Sequence, residues 1–207
     1  PPVVDFLKQL DRPWRYATFT PPGTTQTMKA NAGMLHDLEC VAGYDSIFSD
    51  QYRDYMDLIE TQDQVAYNRI ASFRTWSSLD SPLTDLLNVK YVISEVEIPN
   101  PKYEQVYQDE AVRVYENLGV TPRAFTLPTS ATVETADFGA AVQSMDPRRH
   151  VILEVEHEEP SGLNGSTEAS GHPRSAEPLP QSIASRTINE VFVDVDIAES
   201  SWLILSD

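Results

Sequence analysis

The stretch from Ser81 to Ser94 constrains the fold of this chain most, because it encodes a helix and a buried strand with almost no loop between them. It reads Ser81-Pro-Leu-Thr-Asp-Leu-Leu-Asn-Val-Lys-Tyr-Val-Ile-Ser94. Ser81 is a favourable helix N-cap residue, and Pro82 suits the first helical position. The three leucines share one helical face, and the run from Val89 to Ile93 is β-branched and aromatic, as strands prefer. A short capped helix that leads directly into an interior strand is therefore predicted.

Hydrophobic periodicity places the remaining elements. Ser49 precedes an apolar stripe at i, i+3, i+4 and i+7, which predicts a capped, core-facing helix containing Tyr52, Tyr55, Met56 and Ile59. Asp109-Glu110 between two strand-like runs predicts a hairpin. Further helices are predicted at Val3–Leu10, Val65–Phe73 and Ala136–Met145, with a helical turn at Met34–Leu38. Strands are predicted at Trp14–Thr20, Tyr103–Gln108, Val112–Glu116, Arg123–Leu127, Ala131–Thr135, His150–Glu156, Thr187–Ile197 and Trp202–Leu205.

The order of these elements predicts an α/β fold in which a mixed β-sheet is flanked by helices. We expect this α/β domain to occupy residues 1–156. Residues 157–185 are rich in Pro, Gly, Ser and Glu, which predicts a flexible polar linker or loop. Residues 186–207 then read as the start of a β-rich, sandwich-like unit that is truncated. Because the chain stops on an apolar strand, we expect it to be a piece of a longer protein.

The charge of the chain narrows the classes of partner. The 207 residues carry a formal net charge of −17, which repels the phosphates of nucleic acids and of anionic lipid surfaces. We therefore expect no nucleic-acid partner. The single cysteine excludes an internal disulfide, and no apolar run is long enough to predict a membrane span.

Motifs that carry catalytic chemistry or hold cofactors are missing from the sequence, so we predict no catalytic residue, no metal site and no cofactor. A Cys–His pair is conceivable for His36 and Cys40 if that segment is helical, but a small buried hydrophobic role for Cys40 is favoured. Asp45 is the first carboxylate to consider for chemistry, with a turn or helix-entry role as the favoured alternative. A functional role is one interpretation of Asn88 and Lys90. A turn cap for Asn88 and a solvent-facing or edge position for Lys90 explain them equally well.

Aromatic residues offer a different kind of site. An aromatic patch on which sugar rings stack is one interpretation of Tyr44, Tyr52, Tyr55 and Trp76. Tyrosines at helical spacing more often lie at the edge of a core, and that is the favoured alternative.

Three segments together resemble one family. They are Ala42-Gly-Tyr-Asp-Ser-Ile47 with the preceding Asn31-Ala-Gly-Met-Leu35, Ser81 to Ile93 as quoted above, and Val114-Tyr-Glu-Asn-Leu118 running into Pro122-Arg-Ala-Phe125. In order and spacing they resemble the extracytoplasmic C-terminal region of the bacterial membrane protein YfhO family. Those polytopic proteins are similar to GT-C glycosyltransferases and are implicated in glycosylating cell-envelope polymers such as lipoteichoic acid.

The resemblance implies an accessory domain on the extracytoplasmic side of the cell membrane, without activity of its own. Its expected partners are the transmembrane region of its own full-length protein and a glycan or polyprenyl-phosphate sugar. Four residues of the matching segments are the candidate ligand-binding residues: Asn31, Tyr44, Asp45 and Arg123. Two hypotheses from other classes stay open, namely a stand-alone binding or interaction module and a small enzyme that uses clustered carboxylates.

Overall fold

The computed structural model describes residues 1–25, 27–29, 31–45, 47–62, 68–155, 174–187 and 190–206. The predicted α/β class is confirmed, because this described part contains both helices and strands, including a mixed sheet of four strands. Its α-helices are α1 (Pro2–Leu7), α2 (Asp50–Asp57), α3 (Trp76–Asp80), α4 (Pro82–Leu86) and α5 (Phe138–Ser144). Short 3-10 helices occur at Ala32–His36 and Thr129–Ala131.

The strands group into several small sheets. In chain order they are β1 (Arg15–Phe19), β2 (Gly43–Tyr44), β3 (Arg69–Ile70), β4 (Val89–Ser94), β5 (Tyr103–Gln108), β6 (Arg113–Asn117), β7 (Ala124–Pro128), β8 (Thr132–Thr135), β9 (Val151–Glu154), β10 (Leu179–Pro180), β11 (Ser182–Arg186), β12 (Val191–Asp194) and β13 (Ser201–Leu205).

The structure divides into two compact units, Pro1–Arg123 with Ser206 and Ala124–Leu205. The first unit is built on a mixed four-stranded sheet in the order β1-β4-β6-β5. Strand β4 pairs in parallel with β1 and antiparallel with β6, and the predicted hairpin joins β5 to β6. Five of the six residues of β4 are buried, which is the pattern of a strand covered on both faces.

Local sequence signals explain where the helices of this unit begin. The Ser81 hydroxyl accepts a hydrogen bond from the amide of Leu83 at the start of α4, and the Ser49 hydroxyl accepts one from the amide of Tyr52 at the start of α2. Helix α1 buries Val3, Val4 and Leu7 in an apolar cluster that also contains side chains of the sheet. These caps and stripes agree with the sequence prediction.

The second unit contains β7 between β10 and β13, together with two strand pairs. Strands β8 and β9 are parallel and are connected through α5, whose N-terminus is capped by the carboxylate of Asp137. Strands β11 and β12 are antiparallel.

The helix predicted at Val65–Phe73 is wrong over its described part, while residues 65–67 lie outside the described residues. Strand β3 is extended because its backbone pairs with β2, and Phe73 forms a parallel bridge with Phe19. The apolar pattern of this segment was interpreted with a helical period, but tertiary pairing decides its conformation.

The division between units follows Arg123, whereas residue 156 was expected to end the α/β domain. The reason is that β7 takes its neighbours from strands more than fifty residues later in the chain. Of the expected linker, residues 157–173 lie outside the described residues, and residues 174–185 include β10 and most of β11.

Candidate functional site

A cavity of about 740 Å³ opens in the first unit among the segments between Arg15 and Tyr52. Residues 39–41, which line it, are held against β1, since the amide of Tyr16 donates to the Glu39 carbonyl and the amide of Val41 donates to the Tyr16 carbonyl. Three of the four predicted ligand-binding residues, Asn31, Tyr44 and Asp45, line this cavity. The structure therefore brings these three residues to one cavity, and their role in binding a ligand stays a prediction.

Asn31 builds the cavity wall through its side chain. Its Oδ1 atom accepts a hydrogen bond of 2.9 Å from the amide of Tyr44, and its Nδ2 atom donates to the carbonyl oxygen of the same residue. Asn31 itself has a left-handed backbone with φ of 63°, which asparagine tolerates better than most residues. A Cβ atom at Gly43 would lie 2.9 Å from the Asn31 Oδ1 atom. Asn31 and Gly43 thus hold β2 in place.

Tyr44 presents its ring to solvent. The residue is 47% exposed, and the guanidinium carbon of Arg69 lies 5.9 Å from the centre of its ring. Since Asn31 binds only the backbone of Tyr44, the aromatic side chain stays about half-exposed, with the Arg69 guanidinium over the ring. Such a ring is available as a surface for a ligand to pack against.

Asp45 follows directly along the cavity wall and is exposed. Its backbone amide donates to the carbonyl of Asn68 at 3.1 Å, which continues the pairing of β2 with β3. Asp45 therefore lies on the cavity wall in an extension of this strand pairing, and not at the start of α2, which is capped by Ser49.

Arg123 lies behind the cavity and does not line it. The residue is 3% exposed, and its Nη2 atom lies 2.9 Å from Oε2 of Glu39, whose carboxylate also lies 3.8 Å from Nε of Arg15. Glu39 lines the cavity and is the carboxylate that these two guanidinium groups hold. Sequence reasoning missed the role of Glu39, because its arginine partner is 84 residues away in the chain.

Cys40 and Tyr52 form the deeper part of the cavity. Burial raises the pKa of the Cys40 thiol to about 11, although hydrogen bonds with the Ala42 backbone and the Tyr16 side chain lower it. Burial also raises the pKa of Tyr52 to about 12, and the Tyr52 hydroxyl donates to the carbonyl of Val41 at 2.6 Å. Both groups are protonated at neutral pH, so the thiol is a poor nucleophile.

Apolar side chains surround the mouth of the cavity. Met34 and Ile47 line it and are 73% and 84% exposed, and Leu35 next to Met34 is 85% exposed. Side chains of this size are rarely so exposed near one another without a binding role.

The four aromatic residues considered for a sugar-stacking patch do not form one surface. Tyr55 is turned inward, because its hydroxyl donates to the carbonyl of Leu83 at 3.0 Å. Trp76 lines a second, separate cavity that shares no lining residue with the first. Only Tyr44 and Tyr52 share the large cavity, and of these only Tyr44 is exposed.

A buried polar network joins residues of two of the three segments singled out in the sequence, Ser81 to Ile93 and Val114 to Phe125. Oδ1 of Asp85 lies 2.7 Å from Nζ of Lys102 and accepts a hydrogen bond of 2.8 Å from Nδ2 of Asn117. Asn88, with φ of 57°, donates from its side chain to the carbonyl of Thr121. These contacts give the polar residues of the motifs a structural role.

Lys90 also has a structural explanation. Its Nζ atom lies 3.6 Å from Oε1 of Glu116 on the neighbouring strand, and both side chains are about one-third exposed. The solvent-facing alternative for Lys90 therefore fits its position.

The large cavity combines an exposed aromatic ring, carboxylates and an apolar mouth, and such a combination of groups can bind an organic ligand. Among the described residues, no three His, Cys, Asp or Glu side chains come together in an arrangement that could hold a metal ion. In the same part of the chain, none of the helices has the length and apolar character to cross a membrane.

Comparison of the chain with protein-family models, with curated proteins and with solved structures finds no match.

Proposed function

We propose that this chain is an extracytoplasmic accessory domain of a polytopic membrane protein that resembles YfhO-type glycosyltransferases. It lies at the cell membrane and recognises the sugar of an acceptor polymer or of a polyprenyl-phosphate donor. The catalytic residues belong to the transmembrane region of the same protein. The sequence resemblance supports the class of protein, and the large cavity supports the recognition role.

One observation carries the recognition role, namely the half-exposed Tyr44 ring beside the carboxylates of Glu39 and Asp45 in one cavity. The C–H face of a pyranose packs on an aromatic ring, and its hydroxyl groups donate hydrogen bonds to carboxylates. The cavity volume of about 740 Å³ falls within the usual range for small-molecule sites, about 300–1,000 Å³. A sugar unit therefore fits both the size and the chemistry of the cavity.

The state of the polar groups supports binding over catalysis. The Glu39 carboxylate is held by two guanidinium groups, and the Cys40 thiol stays protonated at neutral pH because burial raises its pKa. A carboxylate in such an ion pair is a weak base, and a protonated buried thiol is a weak nucleophile. The cavity can hold and orient a substrate while another part of the protein supplies the chemistry.

A second function, an interaction module that binds protein, is favoured by the exposed apolar residues Met34, Leu35 and Ile47. Their side chains would be covered by a partner surface, and the transmembrane region of the parent protein is the first candidate. The two functions are compatible, since a sugar can occupy the cavity while its mouth contacts a partner. They differ in whether a free glycan binds.

The length and hydropathy of the full gene product test the class of protein. We expect several membrane-spanning segments to be encoded ahead of Pro1. An open reading frame that starts near Pro1 and encodes none would contradict the membrane assignment.

A glycan-binding experiment tests the recognition role. The purified chain is applied to an array of neutral and anionic glycans that includes lipoteichoic acid. The affinity for each glycan that binds is then measured by calorimetry. Tyr44→Ala should weaken binding about tenfold, which corresponds to about 1.4 kcal/mol, while Tyr44→Phe should retain it. Leu118→Ala is the matched control, because Leu118 is exposed and lies outside the cavity. Absence of any glycan hit, or equal binding by Tyr44→Ala, would favour the interaction module.

A further inference from the structure

A second cavity, of about 400 Å³, lies in the first unit where the end of β1 meets the segment that leads into α3. The amide of Phe73 donates to the carbonyl of Thr18, and the amide of Thr20 donates to the carbonyl of Phe73. These two hydrogen bonds bring Pro21 and Pro22 to the cavity formed with Arg74 and Trp76. The cavity shares no residue with the Tyr44 cavity and serves no role described above.

Trp76 supplies an aromatic surface in this cavity. The residue is 50% exposed, and its ring packs on the buried ring of Phe19 with centroids 4.7 Å apart. Contact with Phe19 fixes the orientation of the indole while part of it stays open to the cavity. A half-exposed tryptophan leaves a large apolar area in water, and covering that area with a ligand is favourable.

Glu60 supplies a buried carboxylate at the same place. The residue is 4% exposed, and its Oε2 atom accepts hydrogen bonds from the Ser78 hydroxyl at 2.6 Å, the Arg74 amide at 2.7 Å and the Thr75 amide and hydroxyl at 2.9 and 3.0 Å. Every hydrogen bond that the carboxylate accepts from the described residues falls on Oε2. Within the described part of the chain, Oε1 accepts no such bond, and it is the oxygen that we assign to a ligand.

Glu60 is charged at neutral pH. Burial alone would raise the pKa of its carboxyl group, but the hydrogen bonds from Ser78, Arg74 and Thr75 outweigh burial and leave the pKa below its ordinary value. A charged, nearly inaccessible carboxylate in a cavity wall binds a hydrogen-bond donor strongly.

The charges around the indole select the class of ligand. Arg74 is exposed and lines the cavity together with Glu60. An ammonium ligand would be attracted by Glu60 and repelled by Arg74, and an anionic ligand would experience the reverse. A hydroxyl group can donate to a carboxylate and accept from a guanidinium, so a polyhydroxylated neutral ligand uses both groups without repulsion.

We propose that the Trp76–Glu60 cavity is a binding site for a neutral pyranose unit. One face of the sugar packs on the Trp76 indole, one hydroxyl donates to Oε1 of Glu60, and another accepts from the Arg74 guanidinium. The site goes beyond the proposed function, because it uses a separate cavity and needs neither the Tyr44 site nor a membrane-bound parent protein.

Fluorine NMR of the chain labelled with 5-fluorotryptophan tests this site. The sequence has three tryptophans, so three resonances are expected. The probes are the methyl α- and β-pyranosides of glucose, galactose and mannose, with glucosamine and glucuronate as charged counterparts. At least one neutral pyranoside should shift the Trp76 resonance in a saturable way. The resonance of Trp14, which is 3% exposed, should stay in place and report an intact fold.

Variants connect the shift with the proposed contacts. Saturation-transfer NMR of proteins that also carry Tyr44→Ala, which weakens the other proposed sugar site, should show that Trp76→Leu weakens pyranoside binding at least about tenfold, as expected from the loss of an aromatic contact. Trp202→Leu is the matched control, since Trp202 is similarly exposed in the second unit, and it should leave binding unchanged. Arg74→Ala should weaken binding, because it removes the guanidinium that donates to a sugar hydroxyl. Folding should be unimpaired, because the Arg74 side chain is exposed.

Three results would overturn the assignment. The first is that no neutral pyranoside shifts the Trp76 resonance. The second is that glucosamine or glucuronate binds more tightly than every neutral pyranoside, which would make the cavity an ion site. The third is that Trp76→Leu and Arg74→Ala both retain full binding. Since the Tyr44 variants leave this cavity intact, failure here and failure of the proposed function are distinguishable.

Discussion

Replacing Asp85 by alanine should destabilise the first unit strongly, because Asp85 is the acceptor at the centre of a buried polar network. Its side chain is 1% exposed and contacts the Lys102 ammonium at 2.7 Å and the Asn117 amide at 2.8 Å. Removing one partner of a buried ion pair costs about 3–5 kcal/mol. Lys102 keeps a hydrogen bond to the Leu79 carbonyl and is 18% exposed, so the lower end, about 3 kcal/mol, is expected for Asp85→Ala.

The reverse substitution should cost more. Lys102→Met leaves a carboxylate that is almost inaccessible to water, so a loss near the upper end, about 5 kcal/mol, is expected. The double variant removes both charges together. It should therefore be less destabilised than the sum of the single variants by about 1–3 kcal/mol.

Equilibrium urea unfolding of the four proteins in this cycle measures the coupling, with the midpoint and the slope both fitted. The control is Lys90→Met, which breaks the partly exposed pair with Glu116 on the same sheet and should cost less than about 1 kcal/mol. If Asp85→Ala costs no more than Lys90→Met, or if the two single losses simply add, the network does not stabilise the fold as argued.

Three further perturbations follow from the packing and the titrating groups. Gly33→Ala should lower stability by about 1–3 kcal/mol in thermal unfolding, because a Cβ would lie 2.8 Å from a backbone carbonyl oxygen, and an unchanged midpoint would contradict this packing. Burial raises the pKa of the Cys40 thiol from 9.0 to about 11, so the unfolded chain releases this proton at a lower pH than the folded chain does. The contribution of the protonated thiol to stability is therefore complete below pH about 9 and is lost between pH about 9 and about 11. Cys40→Ala should flatten the urea midpoint over that range, and an identical slope with pH would refute the linkage. Ser78→Ala removes a hydrogen bond of 2.6 Å to Glu60 and should cost about 1–3 kcal/mol, whereas exposed Ser77→Ala should cost little, and equal losses would contradict the role of burial.

Elements with strong local signals could be predicted from the sequence. The Ser81 and Ser49 hydroxyl groups cap α4 and α2 as their positions next to apolar stripes indicate. The β5–β6 hairpin also follows from local pattern. Caps and hairpins depend on interactions between residues close in the chain, so their determinants are visible in a short window of sequence.

The prediction was wrong where pairing between distant segments decides conformation. Arg69–Ile70 is extended because it pairs with Gly43–Tyr44, although its surroundings suggested a helix. Strand β7 also takes its partners from distant residues, all after 178, and no short window of sequence shows this pairing. A short apolar segment fits either period, and only its tertiary partner selects one.

The candidate site divides in the same way. Asn31, Tyr44 and Asp45 line one cavity, and hydrogen bonds join Asn31 to the backbone of Tyr44; their role in ligand binding stays a prediction. Arg123 was assigned to ligand binding, but the structure places it behind Glu39. Trp76 was considered for sugar stacking, but the sequence grouped it with three tyrosines and not with Glu60, which lines the same cavity in the folded chain.

The sequence by itself determined the acidic character of the chain, its α/β class and the helix-to-strand unit from Ser81 to Ser94. Those properties depend on composition, on local caps and on the period of apolar residues. Only the tertiary structure decided that Asp85 and Asn117 are joined in the interior and that Glu39 and Glu60 each lie in a cavity wall. The physical reason is that burial and pairing of polar groups depend on partners far away in the chain, and the free energy of such contacts exists only once the sheet has assembled.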